Sequence, residues 1–143
     1  MFGLILVSVL ALAPVDAKTP PAPRVAVPVD AYTVQDLLDA MYAVESNRGK
    51  NLIGDGGKAI GPYQIWESYW RDAVEFDPSI GGSYKDCMKK EYSEKIIRAY
   101  WKRYAPKGAT LEQLARIHNG GPKGHTRTAT LKYWQKIVKA MRG

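Results

Sequence analysis

Two carboxylates stand alone in the middle of the chain. Between Asp39 and Glu67 the only acids are Glu45 and Asp55, and glycines and a Gly61-Pro62-Tyr63-Gln64 turn follow the second. An isolated pair of this kind, one acid at a helix end and one in a glycine-rich loop, suits acid-assisted cleavage of a glycosidic bond. One carboxyl protonates the leaving oxygen while the other faces the developing positive charge. This chemistry requires no metal or cofactor, and none is expected.

The helix ahead of Glu45 sets where that acid points. Val34, Leu37, Leu38, Met41, Tyr42 and Val44 recur at a helical period, and Thr33-x-x-Asp36 reads as a capping box that starts the helix. At about 100° per residue, Glu45 falls about 20° from Val34 and Leu38 and about 40° from Met41, so it continues the apolar stripe. Burial disfavours a charged carboxylate and raises its pKa, which makes Glu45 the candidate proton donor. The bland alternative is a solvated Glu at a fraying helix end, or one paired with Arg48. Asp55 lies in Gly54-Asp55-Gly56-Gly57-Lys58, where glycines permit unusual backbone angles and close approach to a ligand. Asp beside Gly is also ordinary turn chemistry. The pairing with Glu45 favours the functional reading.

The remaining elements must hold these two acids. A short helix is expected over Ser68–Ala73, another around Cys87, and a longer one through Tyr92, Ile96, Ile97, Tyr100, Trp101 and Tyr104, stopped by Pro106. Thr110-Leu111-Glu112-Gln113 opens a further capped helix reaching His118, and Leu131, Trp134, Ile137, Val138 and Met141 form a last apolar stripe. Strand signals are nearly absent, apart from a possible small ribbon over 51–60. The expected fold is therefore mainly α, an α+β arrangement of five or six helices around one core, with a small loop or ribbon carrying the second carboxylate. Trp101, Trp134, Tyr100 and Tyr92 are expected in the core. Tyr63, Trp66, Tyr69 and Trp70 are better placed to line a groove where sugar rings stack.

The two ends differ from this middle. Residues 2–15 are almost wholly apolar, and Val15-Asp16-Ala17 offers small residues for cleavage, so 1–17 reads as a secretory signal that implies a secreted or periplasmic protein. No Lys or Arg precedes the apolar run, which leaves an uncleaved anchor as the alternative; with Pro14 inside, the run is short of the ~20 residues of a membrane-spanning helix. Residues 18–30 carry four prolines and read as an extended linker to a domain over 31–143. Cys87 is the only cysteine, so no intrachain disulfide forms, and a half-buried helical thiol is expected there. The net charge of +7 favours an anionic partner. The basic residues are scattered and match no nucleic-acid-binding signature, so an anionic cell wall or membrane surface is the expected contact.

Several segments together resemble a known family. Glu45-Ser46, the Asp55 loop, Gly61-Pro62-Tyr63-Gln64-Ile65, Tyr69-Trp70-Arg71-Asp72, Ala115 through Gly124 with its His118-Asn119-Gly120-Gly121-Pro122 run, and Thr130-x-x-Tyr133-Trp134 are similar to invertebrate-type (destabilase-like) lysozymes. The resemblance implies a lysozyme-like fold and hydrolysis of the β-1,4 bond between N-acetylmuramic acid and N-acetylglucosamine. It further implies Glu45 as general acid, Asp55 as second carboxylate, and Tyr63, Gln64, His118, Asn119 and Gly120 lining the sugar groove. Peptidoglycan or chitooligosaccharide is the expected substrate, and a monomer is expected. The chain departs from the pattern in its single cysteine and in the loop after Asp55. That loop lacks the serine some relatives are thought to pair with the histidine for isopeptide cleavage. Two other functions compete: a lytic transglycosylase, which closes the muramyl 6-hydroxyl onto its own anomeric carbon with one essential Glu, and a wall-binding domain without turnover.

Overall fold

The computed structural model describes residues 27–143. The expected leader over 1–17 and most of the expected linker lie outside the described residues; Val29–Ala31 forms a single 3-10 turn ahead of the first helix. Five α-helices follow among the described residues: α1 (Val34–Ser46), α2 (Glu67–Phe76), α3 (Lys90–Tyr104), α4 (Leu111–Gly120) and α5 (Leu131–Met141). Three two-residue strands, β1 (Ile53–Gly54), β2 (Ala59–Ile60) and β3 (Ile65–Trp66), pair antiparallel in chain order, with Ile53 opposite Ile60 and Ala59 opposite Trp66. The ribbon expected over 51–60 is present, and β3 extends it.

Capping chemistry sets the helix starts. Thr33 accepts from the Asp36 amide at 3.1 Å while Asp36 accepts from the Thr33 amide at 2.7 Å, and Thr110 and Gln113 repeat the arrangement ahead of α4. The apolar stripe of α1 then buries Leu37, Leu38 and Met41 completely, each worth roughly 1.5–3 kcal/mol of removed apolar surface. α1 packs chiefly on α5, α2 on α3, and α4 touches α1, α3 and α5, so Ile96, Ile97, Ile117 and Ile137 meet in one core.

The end of α1 is built to stop just past Glu45. Ser46 is buried; its hydroxyl donates to the Tyr42 carbonyl at 3.2 Å and accepts from the Gly49 amide at 2.9 Å. Asn47, Arg48 and Gly49 all turn into the left-handed region, which ends the helix and directs the chain into the ribbon. Gly61, where the chain turns from β2 toward β3, has φ +80°, and a Cβ there would collide with the Cys87 carbonyl.

Cys87 departs from the expectation for it. It is fully buried in a 3-10 turn (Tyr84–Met88) rather than half-buried on an α-helix, and burial pushes its thiol up to about 12. Trp101 and Tyr100 are core residues as expected, while Trp134 and Tyr92 are only partly buried.

Candidate active site

Glu45, in the last turn of α1, and Asp55, in the 3-10 turn between β1 and β2, open into one cleft of about 290 Å³. Their settings differ. The Glu45 side chain is only 17 % exposed, and its carboxyl is pushed up to about 7. Burial is the main cause. The Tyr133 hydroxyl opposes it, the Asp55 charge adds to it, and the Lys136 ammonium opposes it again. Tyr133 Oη is itself buried and falls short of full hydrogen-bond geometry with any partner among the described residues, yet it still favours the charged form of Glu45. Asp55 is exposed, with φ 48°, and its Oδ2 accepts from the Trp66 indole at 3.0 Å. One acid is thus set to hold a proton near neutral pH. The other is wet and anchored by a donor to its oxygen.

Gln64 braces the ribbon that carries Asp55. Its amide Nε2 donates to the Gly61 carbonyl at 3.0 Å and the Asn51 carbonyl at 3.2 Å, and its Oε1 lies so close to Gly54 that a Cβ there would collide with it. Gln64 itself adopts φ 50° in this turn and lines the cleft.

His118 sits behind Glu45 on α4. Its Nε2 is 3.2 Å from the Tyr63 carbonyl, which can only accept, so Nε2 carries the proton and Nδ1 accepts the Tyr69 hydroxyl at 3.1 Å. Burial pushes its pKa down to about 4, so the 3.6 Å approach of Nε2 to Glu45 Oε1 is a neutral contact rather than an ion pair. The Tyr69 ring packs edge-on to His118 and stacks on Tyr100 with centroids 3.6 Å apart. Both histidine nitrogens are therefore occupied by the protein itself.

Of the residues expected at a sugar groove, Gln64, His118 and Asn119 line this cleft. Tyr63 and Gly120 do not. Tyr63 is completely buried and donates its hydroxyl to Glu94 at 2.7 Å, because its apolar ring follows the core while its carbonyl alone reaches His118. Gly120 packs against Thr130, and it is Gly121, at φ +81°, that reaches the cleft. Among the groove aromatics, Trp66 and Tyr69 line the cleft, whereas Trp70 turns away to donate to Tyr92.

Three further lining residues escaped the sequence reading: Ser68, Asp72 and Tyr100. Ser68 and Asp72 lie four apart on α2, and with Tyr69 they share one helical face, a spacing that could have found them. Asp72 accepts from the Tyr104 hydroxyl at 3.0 Å. Tyr100 reaches the cleft only through its stack on Tyr69, which no local pattern encodes. No hydrogen bond joins Ser68 to His118 among the described residues. Nor do three His, Cys, Asp or Glu side chains gather there in a metal-binding group.

The Destabilase family profile matches residues 34–140, which includes both acids, the ribbon and all five helices up to the last turn of α5. The chain belongs to the destabilase family. It is 42% identical to a lysozyme of Magallana gigas over 84 residues, which is 55% of this chain and 58% of that protein, so the match spans little more than half of that relative's length. With an invertebrate-type lysozyme of Ruditapes philippinarum it shares 36% identity over 112 residues, covering 73% of this chain and 79% of the relative. The fold of this chain is also that of a solved lysozyme, the Meretrix lusoria lysozyme in complex with Aeromonas hydrophila PliI. The TM-score is 0.63 at 34% identity, covering 73% of this chain and 88% of that one.

Proposed function

We propose that this destabilase-family protein is a peptidoglycan hydrolase, cleaving the β-1,4 bond between N-acetylmuramic acid and N-acetylglucosamine. The observation that carries the reading is the contrast of the two acids in one cleft, Glu45 buried with its carboxyl near 7 and Asp55 exposed and held by Trp66. Protonated Glu45 gives its proton to the glycosidic oxygen as the bond breaks, and the Asp55 carboxylate stabilises the oxocarbenium-like sugar. Water then supplies hydroxide to the anomeric carbon and returns a proton to Glu45. Trp66, 44% exposed, offers a ring face to a sugar and Asn119 offers an amide to its polar groups, while Gln64, its amide engaged in the ribbon, forms part of the wall. The lysozyme names of the relatives support the same substrate class.

Export and attraction to an anionic wall belong to the same proposal, resting on the apolar stretch 2–15 and the +7 charge, and a monomeric state is proposed with them. Mass analysis of a wall digest tests the reaction. Muramyl reducing ends are expected. Dominant 1,6-anhydro ends would instead assign a transglycosylase, and a folded protein that releases neither would be a binding domain.

A further inference from the structure

Trp66 is a wall shared by two cavities. On one side lies the cleft, whose charged lining is wholly acidic: Glu45, Asp55 and Asp72. On the other lies a second cavity of about 440 Å³, which shares Trp66 and Ser68 with the cleft but is lined by Lys58, Arg71, Glu67 and Tyr84. The sign of charge therefore changes across one indole ring.

The second cavity is a built feature. The Lys58 ammonium lies over the Trp66 ring, 5.9 Å from its centroid, with no carboxylate in ion-pair reach among the described residues. Its backbone is pinned, because the Tyr84 hydroxyl donates to the Ile65 carbonyl at 2.8 Å and sits 3.2 Å from the Lys58 carbonyl. Arg71 meets Glu67 at 3.2 Å, but both side chains are more than half exposed, so the pair is weak and the guanidinium can turn to another anion. Helix α2 begins at this wall with no side-chain cap, and Glu67 in its first turn is the one negative charge at the positive end of the helix dipole.

We infer that this cavity is an anion subsite that takes a carboxylate of the muramyl side chain while the sugars of the same strand occupy the cleft. The inference rests on the hydrolase reading above and names what that hydrolase selects. A glycan bearing a lactyl group or peptide stem brings carboxylates to a cleft where Asp55 and Asp72 repel them. The nearest cations, Lys58 and Arg71, stand one ring away. Trp66 thus sorts the substrate, with neutral sugar on the side of its Asp55 hydrogen bond and the anionic substituent beneath Lys58. The carboxylate has two alternative sources: the peptide's own carboxylates where a stem is attached, since the lactyl carboxyl is then an amide, and the free lactyl carboxylate where the stem has been removed.

The test compares kcat/KM of wild type, Lys58→Gln, Arg71→Gln and the double variant on three substrates. These are peptidoglycan with intact stems, amidase-stripped glycan that keeps only the lactyl carboxylate, and neutral chitohexaose. Each single change should cost about three- to fivefold on intact peptidoglycan, as a partly exposed charge pair does, and chitohexaose cleavage should stay within about twofold of wild type. Lys58→Arg should restore the loss. Intact stems test the peptide carboxylates and stripped glycan tests the freed lactyl carboxylate, so the substrate on which the loss appears assigns the source. Unchanged rates on both charged substrates would overturn the subsite, as would an equal loss on chitohexaose, which would mean that the changes merely disturb Trp66 and Asp55. A wild-type protein that cleaves none of the three would overturn the hydrolase reading itself.

Discussion

The indole N–H of Trp66 meets Asp55 Oδ2 at 3.0 Å, across eleven residues of chain. Trp66 is the last residue of β3 and Asp55 follows β1 directly, so the three-stranded ribbon exists in part to bring this pair together. Asp55 has φ 48° and is flanked by glycines, so little else restrains its carboxylate. Trp66→Phe keeps an aromatic face and removes the donor. Turnover should fall by about three- to thirtyfold, the range of one hydrogen bond to a charged acceptor discounted for exposure, with KM changing less than kcat. Steady-state kinetics on solubilised peptidoglycan check it, and an unchanged kcat would show that Asp55 needs no anchor.

Asp55→Asn removes the charge facing the oxocarbenium and should lower kcat by about 10²–10³-fold, while wall binding changes little. Product analysis decides the mechanism alongside the rate. Full activity with anhydro products would move the reaction to a single-acid transglycosylase.

The alkaline limb of the pH profile should report Glu45. A carboxyl raised to about 7 is protonated below that pH, so activity should fall as pH rises through 7. The Tyr133 hydroxyl favours the charged carboxylate, so Tyr133→Phe should move the limb to higher pH. A limb that stays in place, or moves down, would show that Tyr133 does not act on Glu45. Stability carries the same sign. A folded-state pKa above the unfolded value stabilises fully at low pH, and that contribution is lost as pH rises from about 4.5 through 7. Glu45→Gln should therefore gain thermal stability over wild type across that window, on the order of 3 kcal/mol if the shift is fully expressed.

Isopeptidase activity should be absent. His118 donates from Nε2 to the Tyr63 carbonyl and accepts at Nδ1 from Tyr69, so neither nitrogen is left to activate Ser68, the serine that shares its cleft. Release from a γ-glutamyl-lysine model substrate should not exceed background. Robust release that disappears in Ser68→Ala, with wall lysis kept, would establish a second catalytic site. His118→Ala should instead cost about 1–3 kcal/mol for each buried partner it leaves unsatisfied, measured by denaturant unfolding.

How much of this was legible in the sequence differs by residue. The two capping boxes and the stripe of α1 are local patterns, so the helix and the inward direction of Glu45 could be read directly from Thr33 to Glu45. Asp55 could be singled out because acids are scarce around it, although nothing local shows that Trp66 would hold it. Tyr63 misleads because its place after a glycine-proline turn suits a groove, whereas only the tertiary partner Glu94 explains its burial. The register of the Gly120-Gly121 pair depends on where Thr130 packs. Asp72 shares a face of α2 with Ser68 and Tyr69 and was open to the same helical reading, whereas Tyr100 enters the cleft through packing between α2 and α3, which no single segment encodes.

The most direct measurement is cell-wall clearance by purified Glu45→Gln beside wild type, with circular dichroism and thermal melting confirming that both are folded. The amide keeps the shape of the side chain in its 17 % exposed site but has no proton to give the leaving oxygen. Clearance should fall by about 10²–10⁴-fold, the usual worth of general-acid assistance, while binding to walls is retained. Clearance at near wild-type rate by the folded variant would contradict the assignment of Glu45 as the acid and, with it, the catalytic reading of the cleft.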